Sequence, residues 1–159
     1  GSMYQWNNNV YSLNPYFVVN ENHNSSTKNR FMGNVTGTYQ LKKWMGLTFR
    51  TGLDTYVFGA KDFMAAGSTW PGRDNGYLGL DNITVSEMNT DIIATFSDIK
   101  LATDLTFSGI LGTSRRDFRR QQNSRFGTNI IEKGTEYISN FSNQTENAPL
   151  ETRTRTNSV

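Results

Sequence analysis

The sequence contains no cysteine and a single histidine, His23. Without thiols the chain can form neither a disulfide framework nor a thiolate metal site. His23 stands in an asparagine-rich polar stretch, where a histidine is usually solvated, and one imidazole makes a zinc site very unfavourable. We therefore expect no metal and no cofactor.

Long hydrophobic runs are also missing. No stretch approaches the roughly 18 consecutive apolar residues that predict a membrane-spanning helix. Hydrophobic residues make up 35% of the chain and the mean hydropathy is -0.60, which leaves little material for a large enclosed core. A net charge of +2 does not indicate nucleic-acid binding, which normally needs a concentrated basic surface.

Strict alternation of apolar and polar residues is the main feature that is present. In residues 30–41, Phe31, Val35, Tyr39 and Leu41 fall on one parity and polar residues on the other. Residues 45–57 repeat the pattern. Because side chains alternate between the faces of a strand, each run predicts a strand with one apolar face. Both runs exceed the usual five or six residues and suit the roughly 9–11 that a tilted strand needs to cross a bilayer.

The polar break between these runs predicts a hairpin. Directly opposed residues of an antiparallel pair share a face, so an odd number of loop residues is needed to place Leu41 opposite Met45. Lys42, Lys43 and Trp44 supply a three-residue turn, and a five-residue turn or an equivalent bulge would have the same effect.

A second pair of alternating runs covers residues 84–97 and 101–114, with a break at Asp98 and Ile99. The apolar parities differ here, so an even-numbered loop that sets Phe96 opposite Leu101 is expected. Connections then alternate between long and short along the chain. In an antiparallel meander this places the short turns at one end and the long loops at the other, as in outer-membrane barrels.

The predicted fold class is all-β: an antiparallel meander of long strands, interpreted as a segment of a transmembrane β-barrel. The alternative is a soluble all-β carbohydrate-binding or adhesion module with a second sheet packed on the apolar face. The predicted organisation is an expression scar at 1–3, an Asn-rich loop at 4–29, a first barrel hairpin at 30–58, a long external loop at 59–83, a second barrel hairpin at 84–114, a long polar loop at 115–152 and the start of a further strand at 153–159.

Short motifs along most of the chain resemble the SusC/RagA-type TonB-dependent outer-membrane transporters of Bacteroidetes. Their order and spacing carry the resemblance. The motifs are Asn14-Pro15-Tyr16-Phe17, Asn29-Arg30-Phe31 with Gly33 and Asn34, Tyr39 with Trp44, Arg50-Thr51-Gly52-Leu53-Asp54, Asn89-Thr90-Asp91 and Arg155-Thr156-Asn157-Ser158.

The resemblance implies a plugged barrel of about 22 strands, of which this chain would supply about four and the start of a fifth. It implies a location in the cell outer membrane and import of a glycan or peptide, without chemistry. The implied partners of the full-length parent are a SusD-like surface lipoprotein, TonB and outer-membrane lipid. Four strands cannot close a barrel, so the isolated chain is expected to self-associate or to cover its open face with its loops.

Two sets of side chains are candidate sites. Trp70, Arg73, Asp74 and Tyr77 resemble a sugar-binding set, because an aromatic face can stack on a pyranose while polar groups take its hydroxyls; local loop packing is the alternative. Arg50 and Asp54 lie on the polar parity and are expected to face the lumen, because an arginine facing lipid costs roughly 2–4 kcal/mol at the midplane.

Catalysis has little support in the sequence, since no spacing identifies an acid/base pair of carboxylates, and we expect no enzyme.

A run of arginines offers a candidate anion-binding surface. It would suit an anionic ligand, a lipopolysaccharide phosphate or a partner, and a solvated loop is the alternative. Its members are Arg115, Arg116, Arg119 and Arg120.

Overall fold

The protein is all-β: its described residues form six strands in one antiparallel sheet and one short α-helix. This architecture comes from a computed structural model that describes residues 14–68 and 71–159. The predicted all-β antiparallel arrangement is confirmed at this level. In the described part of the chain no helix is long and apolar enough to cross a membrane.

The elements follow one another as a meander. The strands are joined in the order β1-β2-β3-β4-β5, and β6 also pairs with β4. Strands β1 to β4 are very long, with 20, 22, 28 and 26 residues. The elements are α1 (Pro15–Glu21), β1 (His23–Lys42), β2 (Met45–Ala66), β3 (Asn75–Ala102), β4 (Leu105–Ile130), a 3-10 turn (Ile138–Asn140), β5 (Phe141–Glu146) and β6 (Leu150–Ser158).

Helix α1 lies within the stretch that was expected to form an Asn-rich loop. Asn14 caps it, since its side-chain oxygen accepts a hydrogen bond from the backbone N–H of Tyr16 at 3.0 Å. Pro15 occupies the first helical turn, where its missing N–H costs nothing. The loop expected at 4–29 therefore contains a helix and the start of β1 in its described part; residues 1–13 lie outside the described residues.

Strands continue through most of the two stretches expected as long loops. β2 extends to Ala66 and β3 begins at Asn75, so the connection expected at 59–83 shrinks to residues 67–74. β4 likewise runs on to Ile130. Polar cross-strand contacts such as that of Ser124 with Asp81 replace the apolar alternation there, which is why the hydrophobic pattern does not show these strands.

In the first hairpin, the apolar parities of β1 and β2 share a face, as predicted. The strands leave two residues between them, Lys43 and Trp44, where three or five were expected. A Cβ on Gly52 would lie 3.8 Å from Cβ of Asn34, which puts these two positions on one face. That contact fits the register in which the apolar parities of β1 and β2 share a face.

The second hairpin turns later than predicted. Asp98 and Ile99 lie inside β3, and the turn is at Thr103 and Asp104. The backbone N–H of Asp98 donates to Oγ of Ser108 at 3.1 Å, so the expected pairing of Phe96 with Leu101 is wrong. Asp98 has a positive φ of 54°, a local irregularity within the strand at the point where its alternation is interrupted.

β5 and β6 lie along the same edge of β4. β5 pairs with it from Arg125↔Glu146 to Ile130↔Phe141. Pro149 falls in the break between β5 and β6, where its missing N–H removes a ladder hydrogen bond. The strand expected at 153–159 is part of β6, which begins three residues earlier, at Leu150, within the stretch expected as a loop.

The chain divides into two compact units, and each of the four long strands contributes to both. Unit 1 comprises Gly1–Asn29, Val57–Ile83 and Gln121–Leu150; unit 2 comprises Arg30–Tyr56, Thr84–Arg120 and Glu151–Val159. The described part of unit 1 has a small core of Phe63, Leu78 and Phe141, with Ala65, Leu80, Ile130 and Ile138 packed against it.

Candidate functional site

Three ion pairs cross unit 2, one between each pair of neighbouring long strands. All six side chains lie on the polar parity of their strands, and we call them the polar ladder. The pairs are Arg30 Nε to Asp54 Oδ1 at 2.8 Å (β1 to β2), Arg50 Nη2 to Asp91 Oδ2 at 3.1 Å (β2 to β3) and Arg116 Nη2 to Glu87 Oε2 at 2.7 Å (β4 to β3).

The polar ladder brings together the two residues expected to face a lumen. Arg50 and Asp54 do not pair with each other; each finds its partner on a neighbouring strand. The ladder side chains are between 28% and 54% exposed, and water and salt screen ion pairs this open, so they contribute little to stability. They place charged side chains from all four long strands on one face of the sheet, which also carries the exposed Met32 and Ile110.

Apolar side chains cover the opposite parity of unit 2 and remain open. Their exposed fractions range from 39% for Leu53 to 71% for Tyr39. Soluble monomers rarely expose a contiguous apolar patch larger than a few hundred Å². We call this set the apolar face: Phe31, Val35, Tyr39, Leu41, Phe49, Leu53, Met88, Ile92, Leu105, Phe107 and Leu111.

Apolar side chains on one parity of β3 are buried in unit 1 and exposed in unit 2. Leu78 and Leu80 have the same parity as Met88 and Ile92. In unit 1, Leu78 is fully buried and Leu80 packs against the core. In unit 2, Met88 and Ile92 are 47% and 45% exposed. On this parity, unit 1 thus buries its apolar side chains in a core of its own, whereas unit 2 leaves Met88 and Ile92 about half exposed.

The predicted sugar-binding set is brought together in part. Cζ of Arg73 lies 3.8 Å from the centroid of the Tyr77 ring, and the Phe126 ring stacks with Tyr77 at a centroid distance of 6.2 Å. Asp74 closes the turn through its backbone carbonyl, which accepts from the N–H of Gly67 at 2.8 Å. Trp70 lies outside the described residues.

Arg73 changes what this site can bind. Its guanidinium covers one face of Tyr77, so that face is not open to a sugar ring. Next to it lies a shallow depression of about 280 Å³, lined by Phe126, Thr128 and the turn residues Pro71 and Gly72. Arg73 and Tyr77 line it as well, so it offers a guanidinium, two aromatic rings and the hydroxyls of Tyr77 and Thr128.

A larger polar hollow of about 540 Å³ was not expected from the sequence. It is lined by residues of β1 to β5, among them Thr27, Lys61, Asn82, Arg125 and Glu146. Hydroxyl, amide and charged groups of this kind suit a hydrated ligand such as a glycan or peptide. Its residues come from five separate strands, so no local sequence signal could have found it.

Glu136 ties the connection after β4 to the first two strands. Its carboxylate accepts from Nδ1 of His23 and from Nζ of Lys61, both at 2.6 Å, and His23 also stacks on Phe63. Burial opposes ionisation of the Glu136 carboxyl, but these two hydrogen bonds outweigh it and lower its pKa. His23 therefore begins a strand and has a partner, although it was expected to be solvated in a loop.

Within residues 14–68 and 71–159, no group of three or more histidine, aspartate or glutamate side chains is arranged to hold a metal ion. The surfaces of interest are the polar ladder and apolar face of unit 2 and the two polar depressions of unit 1.

No family model and no curated protein matches the sequence.

Proposed function

We propose that this chain is part of the wall of a transmembrane β-barrel from a SusC/RagA-type TonB-dependent importer of the outer membrane. The observation that carries the proposal is the two-sided character of unit 2. One face exposes eleven apolar side chains, and the other carries the polar ladder.

The magnitudes decide which face meets lipid. Complete transfer of a large apolar side chain out of water contributes about 1.5–3 kcal/mol, and the eleven members of the apolar face are about half exposed. Ladder ion pairs contribute far less, and an arginine turned toward lipid would cost roughly 2–4 kcal/mol. The apolar face therefore contacts hydrocarbon and the polar ladder contacts water.

Strand length and connections agree with this proposal. A bilayer crossing needs roughly 9–11 residues, so strands of 20 to 28 residues have a remainder that extends into water. The residues of unit 1 suit that aqueous role, because they have a core of their own. The two-residue turns at 43–44 and 103–104 alternate along the chain with the longer connections at 67–74 and 131–140, as short turns and long loops do in outer-membrane barrels.

The sequence resemblance supports the more specific assignment. Four of the six ladder residues, Arg30, Arg50, Asp54 and Asp91, belong to the motifs that resemble SusC/RagA-type transporters. In this proposal they line the wet interior of the parent barrel. The parent imports a glycan or peptide together with a SusD-like lipoprotein, TonB supplies the energy, and no bond is made or broken.

A cysteine scan tests the proposal. The sequence contains no cysteine, so each introduced thiol is the single labelling site. Single cysteines at successive positions from Phe31 to Leu41 are labelled with an environment-sensitive fluorophore after reconstitution of the chain into phospholipid bilayers. Nitroxide lipids should quench the odd positions, and aqueous iodide should quench the even positions. Failure of the chain to associate with vesicles, or quenching without a period of two, would contradict the proposal.

A soluble all-β carbohydrate-binding or adhesion module is the second candidate. The polar hollow and the depression beside Phe126 in unit 1 favour it, because both suit a hydrated ligand. A soluble module requires a second layer of protein, such as another sheet, packed on the apolar face. Purification of the chain without detergent as a monodisperse monomer, checked by light scattering, would favour the module over the barrel wall.

A further inference from the structure

Charged side chains replace apolar ones part of the way along one face of β4. Leu105, Phe107 and Leu111 are exposed and apolar. Arg115 and Arg119 have the same parity and are exposed as well. The change falls within unit 2, on the side of the strand opposite the ladder residue Arg116.

β6 completes this charged area. Nε of Arg155 donates to Oδ1 of Asp117 at 2.6 Å, Nε of Arg115 donates to Oδ2 of the same carboxylate at 2.7 Å, and Nε of Arg119 donates to Oε1 of Glu151 at 2.8 Å. We call the area the arginine patch. It consists of Arg115, Arg119, Arg153 and Arg155 with Asp117 and Glu151.

The arginine patch keeps an excess of positive charge. Four guanidinium groups face two carboxylates, which leaves two positive charges. Arg153 lies between Glu151 and Arg155 on the same parity of β6, is exposed, and makes no ion pair within the described residues. On the neighbouring β3, the even-numbered residues from 82 to 92 share this face and carry no charge. The excess is therefore available to an anion.

The position of the patch fits the boundary of a hydrocarbon layer. From Leu105 to Arg115 the strand advances ten residues, roughly 33 Å along its length. At a barrel tilt of about 40° this is roughly 25 Å along the membrane normal, the height of the apolar band on outer-membrane barrels. The arginines then lie at the level of lipid headgroups.

We propose that the arginine patch binds the phosphate headgroup of an anionic membrane lipid. This inference rests on the proposed barrel-wall function, since it needs the apolar face in a bilayer. Guanidinium groups hold phosphate oxygens by paired, charge-assisted hydrogen bonds. The lipid's acyl chains lie along Leu105, Phe107 and Leu111, which distinguishes the ligand from a soluble phosphate.

The test uses the chain reconstituted in phosphatidylcholine nanodiscs, with lipid A as the probe. Lipid A carrying its phosphates and the same lipid after dephosphorylation are titrated separately. The variant Arg115→Gln/Arg153→Gln removes two charges and leaves Asp117 paired with Arg155. The matched control, Arg50→Gln/Arg116→Gln, removes the same charge from the polar ladder.

Phosphorylated lipid A should bind at least about tenfold more tightly than the dephosphorylated form, and the patch variant should abolish this preference while the control keeps it. Equal binding of both lipids, equal losses in both variants, or competition by millimolar inorganic phosphate would overturn the inference. Flotation on vesicles separates the two proposals. If the chain enters bilayers but shows no preference for the phosphorylated lipid, the lipid site is wrong and the barrel-wall proposal remains. If the chain does not enter bilayers, both proposals are wrong.

Discussion

A Cβ atom on Gly127 would lie 2.7 Å from both Cβ and Cγ of Phe141, closer than real Cβ contacts. Gly127 is buried on β4, and Phe141, 1% exposed, begins β5. The missing side chain therefore lets the connection after β4 pack onto the sheet and close the core of unit 1. In a unit with so few buried apolar residues, this contact has a large share in stability.

Replacing Gly127 by alanine should lower the free energy of unfolding by about 1–3 kcal/mol, because the new methyl group overpacks against Phe141. Urea unfolding in detergent micelles, followed by circular dichroism, measures the change. Gly37→Ala is the matched control, since its Cβ would meet no atom within 4 Å. Equal effects at the two positions would show that the close approach is not a constraint.

Truncating the partner tests the same core from the other side. Phe141→Ala removes a fully buried ring and should cost about 3–5 kcal/mol, the usual range for such a cavity. Tyr137→Ala, in the connection that precedes Phe141 and 74% exposed, should cost far less. The comparison uses the same urea titration. A small loss for Phe141→Ala would mean that unit 1 is held by its hydrogen bonds rather than by this core.

The sequence predicted strands where each face has a uniform character. In β1 and in β2 up to Val57, most apolar and polar residues keep opposite parities, with exceptions such as Met32 and Thr51, and the structure has long strands there. In β3 before Ile83 and in β4 after Arg115, polar residues occupy both parities. Contacts between distant residues, such as Ser124 with Asp81, hold those stretches in the sheet, and a local pattern cannot reveal such contacts.

The partners of the candidate site residues could not be predicted for a related reason. The polar parity of Arg50 and Asp54 was visible, but their partners, Asp91 and Arg30, depend on the register between strands. Tyr77 was expected to offer a free ring, yet Arg73, four residues earlier, covers it. Sequence spacing indicates which face a side chain occupies, whereas its neighbours across the sheet follow from the pairing.

The contacts of Glu136 predict a dependence of stability on acid. Its folded-state pKa is lowered, so its contribution is fully present above the ordinary carboxyl pKa and is lost as the pH falls through the lower folded value. Thermal unfolding should therefore show a midpoint that falls below about pH 4.5. In the Glu136→Gln variant, the fall of the unfolding midpoint at acid pH should be smaller. Glu146→Gln, at an exposed position of β5, is the control and should retain the full dependence.

Introducing arginine at two adjacent positions of β2 separates the two faces of unit 2. Phe49 belongs to the apolar face, whereas Thr48 has the parity of the polar ladder. In bilayers, Phe49→Arg should lower the free energy of unfolding by about 2–4 kcal/mol, because the guanidinium must leave water for hydrocarbon. Thr48→Arg introduces the same side chain on the wet face and should change it by less than about 1 kcal/mol. Urea titration of the two vesicle-bound variants measures both values, and the difference between them removes effects common to any added arginine. If both variants lost the same stability, lipid would not distinguish the two faces, and the assignment of the apolar face to hydrocarbon would fail even with the sheet intact.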